Sequence, residues 1–100
     1  MVLEVVKLTV IEGQQENFER DYKIAAQYIS ASKGYIKHSI HKSLEKNNEY
    51  IQFVEWENLE DHTVTFFESD LFQEWAKLLH HYYDPMPTVE HYETANLLAK

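Results

Sequence analysis

The sequence predicts an α+β domain of ferredoxin-like order, β-α-β-β-α-β, with an antiparallel sheet and a second helical region split in two. Three observations predict it. Short β-branched runs alternate with stretches of helical period, a polar stretch and no helix joins the second and third strands, and both prolines follow the last apolar helical face. One hundred residues suit a single domain.

Val2 to Ile11 is rich in β-branched residues and partly alternating, which reads as a strand, and Glu12-Gly13 supplies the turn after it. From Gln14 to Ser32, Phe18, Tyr22, Ala25, Ala26 and Ile29 recur at helical spacing, with Gly34 just beyond the expected end. Tyr35 to Leu44 and Tyr50 to Glu57 are two further strands, and the polar Glu45-Lys46-Asn47-Asn48-Glu49 between them makes an antiparallel hairpin. Asn58, with Asp61 three residues on, can cap a short helix; Asp70 with Gln73 repeats the arrangement for a second. That second helix puts Leu71, Phe72, Trp75, Leu78, Leu79 and Tyr82 on one face, and Pro85 and Pro87 prevent its continuation. Thr88 to Thr94 closes the order as a strand.

Helices in this order cover one face of the sheet, yet the strands are apolar on both. The third carries Ile51 and Phe53 on one side and Tyr50, Val54 and Trp56 on the other; the first sets Leu3 and Val5 against Val6, Leu8 and Val10. An apolar face left in water is an association surface, so a second sheet from a second copy is expected over it. A chain this short, without cysteine, has no disulfide or cysteine-rich metal cage to compensate for its size. The net charge of -8 repels phosphate backbones and anionic membranes, so neither nucleic acid nor membrane is expected as a partner. The N-terminal MVLEVVKLTV lacks the pattern of a signal peptide and no apolar run approaches membrane-spanning length, which places the expected protein in the cytoplasm.

The stretch YIQFVEWENLEDHTVTFFESDLFQEWAKLLHHYYDPMPTVEHYE resembles the C-terminal half of the antibiotic biosynthesis monooxygenase family. The shared pattern is a strand ending in Trp-Glu, a helix with a histidine, Ser-x-x-Phe-x-x-Trp, and a closing Val-x-His-Tyr strand. VLEVVKLTVIEGQQENFER and KGYIKHSIHKSLEKNNEY extend the resemblance towards the N-terminus, so the domain is expected over 1–94, with 95–100 as a tail. The resemblance implies a dimeric α+β barrel with a small pocket for an aromatic ligand. It also implies, in the polyketide-tailoring branch, oxygenation of a phenol without metal or flavin. The fold hosts other activities, so the chemistry must be argued from the site.

In that branch an asparagine and a tryptophan on the third strand bind the substrate and steady its oxygenated intermediate. The tryptophan matches Trp56, and Gln52 stands where the asparagine would be, keeping an amide on a longer stem. Their even spacing sends both side chains from one face of a strand. His62 occupies the position of a family tyrosine. The positive end of a helix dipole favours its neutral, proton-accepting form while Glu60 and Asp61 oppose this, and it is the candidate base that ionises the phenol. Phe66, Trp75 and His91 are expected to line the ligand space. Four of these have a plainer reading: Trp56 as core, Gln52 as a polar residue paired across the dimer, His62 as a helix-start residue bonded to a carboxylate or carbonyl, and His91 as sheet packing or a hydrogen bond.

LLHHYYDPMPTVEHY, residues 78 to 92, concentrates three histidines and three tyrosines. If Trp75, Leu78, Leu79 and Tyr82 face inward, His80 and His81 turn to the opposite flank about 100° apart, where the negative helix end suits them. Tyr83 has no assigned role. His38 and His41 leave opposite faces of their strand, and no pair of histidines has the helical spacing of metal ligands, so no metal is expected. Two glycines leave little room for a phosphate-binding loop, so no nucleotide cofactor is expected. Haem degradation is disfavoured: the positions matching the haem-binding branch hold Val6, Phe66 and Ala76. The remaining readings are a cofactor-independent monooxygenase of a small phenol or quinol, with Gln52, Trp56 and His62 catalytic, and a non-catalytic protein that binds a small apolar molecule in the same pocket.

Overall fold

The structure, a computed structural model, describes residues 1–98. Its elements are β1 (Val2–Thr9), α1 (Gln15–Ser30), β2 (Tyr35–Lys42), β3 (Glu49–Trp56), a π-helical segment (Asp61–Phe66), α2 (Asp70–Leu79), a 3-10 turn (His80–Tyr82) and β4 (Val89–Tyr92). The sheet order is β2-β3-β1-β4 with every neighbouring pair antiparallel, so the β-α-β-β-α-β fold read from the pattern is the fold observed. No helix among the described residues is long and apolar enough to cross a membrane. The last two residues of the expected 95–100 tail lie outside the described residues, while Leu97 and Leu98 are exposed.

Alternation decides what each strand buries. Val6, Leu8 and Val10 from β1 and its continuation meet Tyr50, Val54 and Trp56 from β3 beneath Phe18, Tyr22, Ala25 and Ile29 of α1 and Trp75 and Leu79 of α2. On the other face Val5 pairs with Phe53 and Lys7 with Ile51. Leu3, Val5, Ile51 and Phe53 are only partly covered there, and the ion pairs Lys7–Glu49 at 3.3 Å and Lys37–Glu55 at 3.2 Å flank them.

Three local expectations need correction. α1 ends at Ser30, so Gly34 does not terminate it; at φ +81 Gly34 instead turns the chain into β2, and its missing Cβ leaves room for the Asp61 carboxyl, which a Cβ there would strike. The first short helix is π-helical, its register shown by Phe67 N–H donating to His62 O at 3.3 Å. Asp61 accepts from Asn58 N–H at 3.0 Å, but the expected cap, Asn58, does not cap the segment, which begins after Glu60 without a side-chain cap. α2 is capped by Ser69, whose Oγ accepts from Phe72 N–H at 3.2 Å; the expected cap, Asp70, lies in the first turn, where its charge suits the dipole.

After α2 the chain is tied back to the end of β1. Ile11 N–H donates to Tyr82 O at 2.8 Å and Asp84 N–H to Thr9 O at 3.0 Å, which sets Tyr83 opposite Val10. β4 then runs along the outer side of β1, with His91 beside Glu4.

Candidate functional site

Between the sheet, the π-helical segment and α2 lies a cavity of about 360 Å3, at the small end of the range for ligand pockets. Its apolar wall includes Val6, Leu8, Phe66, Phe67, Phe72 and Trp75. Glu4, Gln52, His62, His80 and Tyr83 supply the polar groups.

Gln52 and Trp56 do leave the same face of β3, but they meet different surroundings. The Gln52 amide oxygen accepts from Tyr22 Oη at 2.7 Å, an orientation that leaves the amide nitrogen for the cavity. Trp56 is fully buried behind the cavity wall, and its Nε1–H donates to Glu4 Oε1 at 2.9 Å. Hydrogen bonding from Trp56 to a ligand would therefore require Glu4 to release the indole. Where sequence reasoning expects a donor facing the ligand, the structure has a donor holding a carboxylate.

His62 lies over Trp56 with ring centroids 5.4 Å apart and planes inclined by 24°. Its Nε2 is 3.5 Å from Glu4 Oε1 and its Nδ1 2.8 Å from His91 Nε2. Opposite sides of one imidazole thus face a carboxylate and a second imidazole, which makes a chain and not a converging cage. Among the described residues no three His, Asp or Glu groups form a metal-holding set. The expected cavity residues Phe66 and Trp75 are in its wall, whereas His91 stands behind His62, because pairing of β4 with β1 places it beside Glu4.

Burial controls the charges here. It raises the Glu4 carboxyl from its ordinary 4.5 to about 7, outweighing the opposing hydrogen bond from Trp56. It lowers His62 to about 4, with His91 adding to the effect. Burial also holds Tyr22 and Tyr83 above the ordinary phenol range. Near neutral pH the His62 ring is neutral and Glu4 is poised between its two forms.

The histidines of residues 78 to 92 divide differently from the expectation. His81 is exposed, but His80 lines the cavity, its ring 5.6 Å from Phe72 and 6.0 Å from Tyr83. Phe72, Ala76 and His80 form an i, i+4, i+8 row, and this row makes the inward arc of α2 wider than the large apolar residues alone indicate. His80 thus does not take the outward direction expected from the large apolar residues of α2.

A sequence profile of the family described as antibiotic biosynthesis monooxygenase matches residues 1–78. The chain belongs to the antibiotic biosynthesis monooxygenase family. An uncharacterised Bacillus subtilis protein, YczJ, is 48% identical over 93 residues, covering 93% of this chain and 98% of that protein. A solved structure from Bordetella bronchiseptica, described as a candidate antibiotic biosynthesis monooxygenase, is 29% identical with a TM-score of 0.89, covering 94% of this chain and 96% of its own. SnoaB, a cofactor-independent oxygenase from Streptomyces nogalater, is 21% identical with a TM-score of 0.79, covering 99% and 97%. That last likeness is one of fold.

Within this antibiotic biosynthesis monooxygenase domain, sequence reasoning missed Glu4, Tyr22 as a partner of Gln52, and His80 as a wall residue. Glu4 carried a signal: it has the parity of Val6, Leu8 and Val10, so a strand that buries those three buries a carboxylate as well. Tyr22 was legible only as an apolar-face residue.

Proposed function

We propose that this protein is a cofactor-independent monooxygenase of the cytoplasm, acting as a homodimer on a small phenol or quinol held in the cavity. The observation that carries the proposal is the meeting of the Gln52 amide, the His62 imidazole and the Glu4 carboxyl in one aromatic-walled cavity of small-molecule size. Phe66, Phe72 and Trp75 offer ring faces and edges to an aromatic ligand, and Gln52, fixed by Tyr22, offers a donor to one of its oxygens. Loss of a hydroxyl proton makes the ligand anion electron-rich enough to pass an electron to dioxygen, and His62 with Glu4 forms the end of the cavity where that proton is received. Trp56 acts as a positioning residue through its bond to Glu4. The oxygenase activity named for SnoaB, on the same fold, supports this reading.

A non-catalytic binding protein is the second reading. It is favoured by the Trp56 N–H, already donated within the protein and so not free for an intermediate. Oxygen uptake with hydroquinones and anthrone-like phenols, using chelator-treated protein, separates the two. The oxygenase reading expects uptake in the wild type and its loss in a folded Trp56→Phe variant, which keeps a ring but no donor. Full activity in that variant would leave Trp56 a core residue, and no uptake with any compound would favour the binding protein.

A further inference from the structure

The proposed chemistry needs a group that accepts a proton and a route by which that proton leaves. Glu4 borders the cavity and lies within 3.5 Å of His62 Nε2; His62 Nδ1 reaches His91 Nε2 at 2.8 Å; and His91, half-buried, belongs to the strand at the sheet edge. These three side chains come from β1, the π-helical segment and β4, elements brought together only by the fold. We propose that Glu4 takes the proton from a hydroxyl of the cavity ligand and that His62 and His91 relay it to solvent at the β4 edge. This rests on the oxygenase reading for its substrate, but the relay itself is a property of the free protein.

The transfer balances. The ligand O–H bond breaks, its electron pair stays on the ligand oxygen, and the proton joins the Glu4 carboxylate. The Glu4 carboxyl then turns to bring its protonated oxygen to His62 Nε2, which faces Oε1 before the transfer; Glu4 gives that proton to His62 Nε2, His62 gives its Nδ1 proton to His91 Nε2, and His91 loses its Nδ1 proton to water. The His62 contact of 3.5 Å must shorten for the second step, and catalytic hydrogen bonds are commonly long before a ligand binds. A base is most effective when its affinity for protons matches the working pH, and burial has brought Glu4 to about 7 while taking His62 to about 4. Glu4, not His62, thus has the stronger basicity of the two. Trp56 holds one carboxylate oxygen from β3 and stacks beneath His62, so both partners are kept in place by one indole. The other titratable groups around this space are Tyr22 from α1, bonded to Gln52 behind the lining, and His80 and Tyr83, which line it from the chain that follows α2.

The test uses full-length protein labelled for NMR at glutamate carboxyl carbons and histidine ring nitrogens. In the wild type the Glu4 carboxyl should titrate near pH 7, and the ring nitrogens of His62 should report that midpoint. Glu4→Gln, which can still accept from Trp56, should remove it from the His62 ring. A His62 response near pH 7 unchanged by Glu4→Gln, or a Glu4 that titrates in the ordinary carboxyl range, would overturn the relay. In oxygen uptake with the hydroquinone panel, Glu4→Gln should lower kcat by about a hundredfold or more with little change in KM. His91→Ala should also lower kcat and be rescued by added imidazole, a response that lost packing would not give. Unchanged kcat in Glu4→Gln refutes the proposal and leaves the oxygenase reading standing; no uptake by the wild type counts against that reading, and the NMR result then decides the relay alone.

Discussion

Replacing Glu4 by Gln removes one of two neighbouring groups, the buried Glu4 and the partly buried His62, whose titrations act on stability in opposite directions. Glu4 has its folded pKa raised from 4.5 to about 7, so its contribution is fully present below pH 4.5 and is lost as pH rises through 7. His62 has its folded pKa lowered from 6.5 to about 4, so its contribution is present above pH 6.5 and is lost as pH falls through 4. Over the shared window the two slopes cancel in the wild type. Each displacement corresponds to roughly 3 kcal/mol, at about 1.4 kcal/mol per pH unit, and both groups are buried enough for that conversion to hold.

Taking Glu4→Gln from pH 7 to 4.5 should therefore cost it about 3 kcal/mol relative to the wild type, because the acid-side loss from His62 is no longer offset. His62→Gln should show the reverse, gaining about 3 kcal/mol relative to the wild type between pH 6.5 and 4. Urea unfolding followed by the fluorescence of buried Trp56 and Trp75, at a series of pH values, measures both differences. The carboxylates of Glu19, Asp21 and Glu49, which hydrogen bonds and lysine or arginine partners hold below the ordinary range, lose stability in acid in all three proteins and cancel in the comparison. Two flat difference curves, or two of the same sign, would refute the reasoning: the pair would then hold a proton as one unit and not as two opposed groups.

Gly34→Ala should destabilise the protein by about 2 kcal/mol or more, since φ is +81 and the new Cβ would meet Asp61 Oδ2; thermal unfolding measures the loss, and a displaced His62 ring signal should accompany it. The partly covered Leu3, Val5, Ile51 and Phe53 face predicts a homodimer, so equilibrium sedimentation should give close to twice 12.0 kDa, and a monomer at micromolar concentration would count against it.

Periodicity was enough to order the elements because apolar alternation in β1 and β3 and the helical spacing of Phe18, Tyr22, Ala25 and Ile29 were set by the same core. It failed where one residue answers to two neighbours. Gly34 looked like a helix terminator because its partner Asp61 is remote in sequence, and the π register from Asp61 to Phe66 has no pattern that a short stretch can display. Candidate site residues were legible when they shared one strand, as Gln52 and Trp56 do. What they touch was not, because Glu4 and Tyr22 reach them across 52 and 30 positions of chain.

These remote contacts give the cavity a direction. Gly34 makes room for Asp61, Asp61 begins the π-helical turn, and that turn lays His62 over Trp56 and against Glu4 at one end of β1. Two strand positions along, Val6 is paired with Gln52, and Tyr83 stands opposite Val10 towards the other end, so the polar groups are spaced along the strand with aromatic walls between them. A ligand with a single acidic hydroxyl would have one orientation in which that hydroxyl meets Glu4 and its rings meet Phe66 and Trp75. Burying a carboxylate is unfavourable unless it is held, and Trp56 satisfies only one of its oxygens. The second oxygen is the one through which a hydroxyl in the cavity could bond Glu4 without displacing the indole.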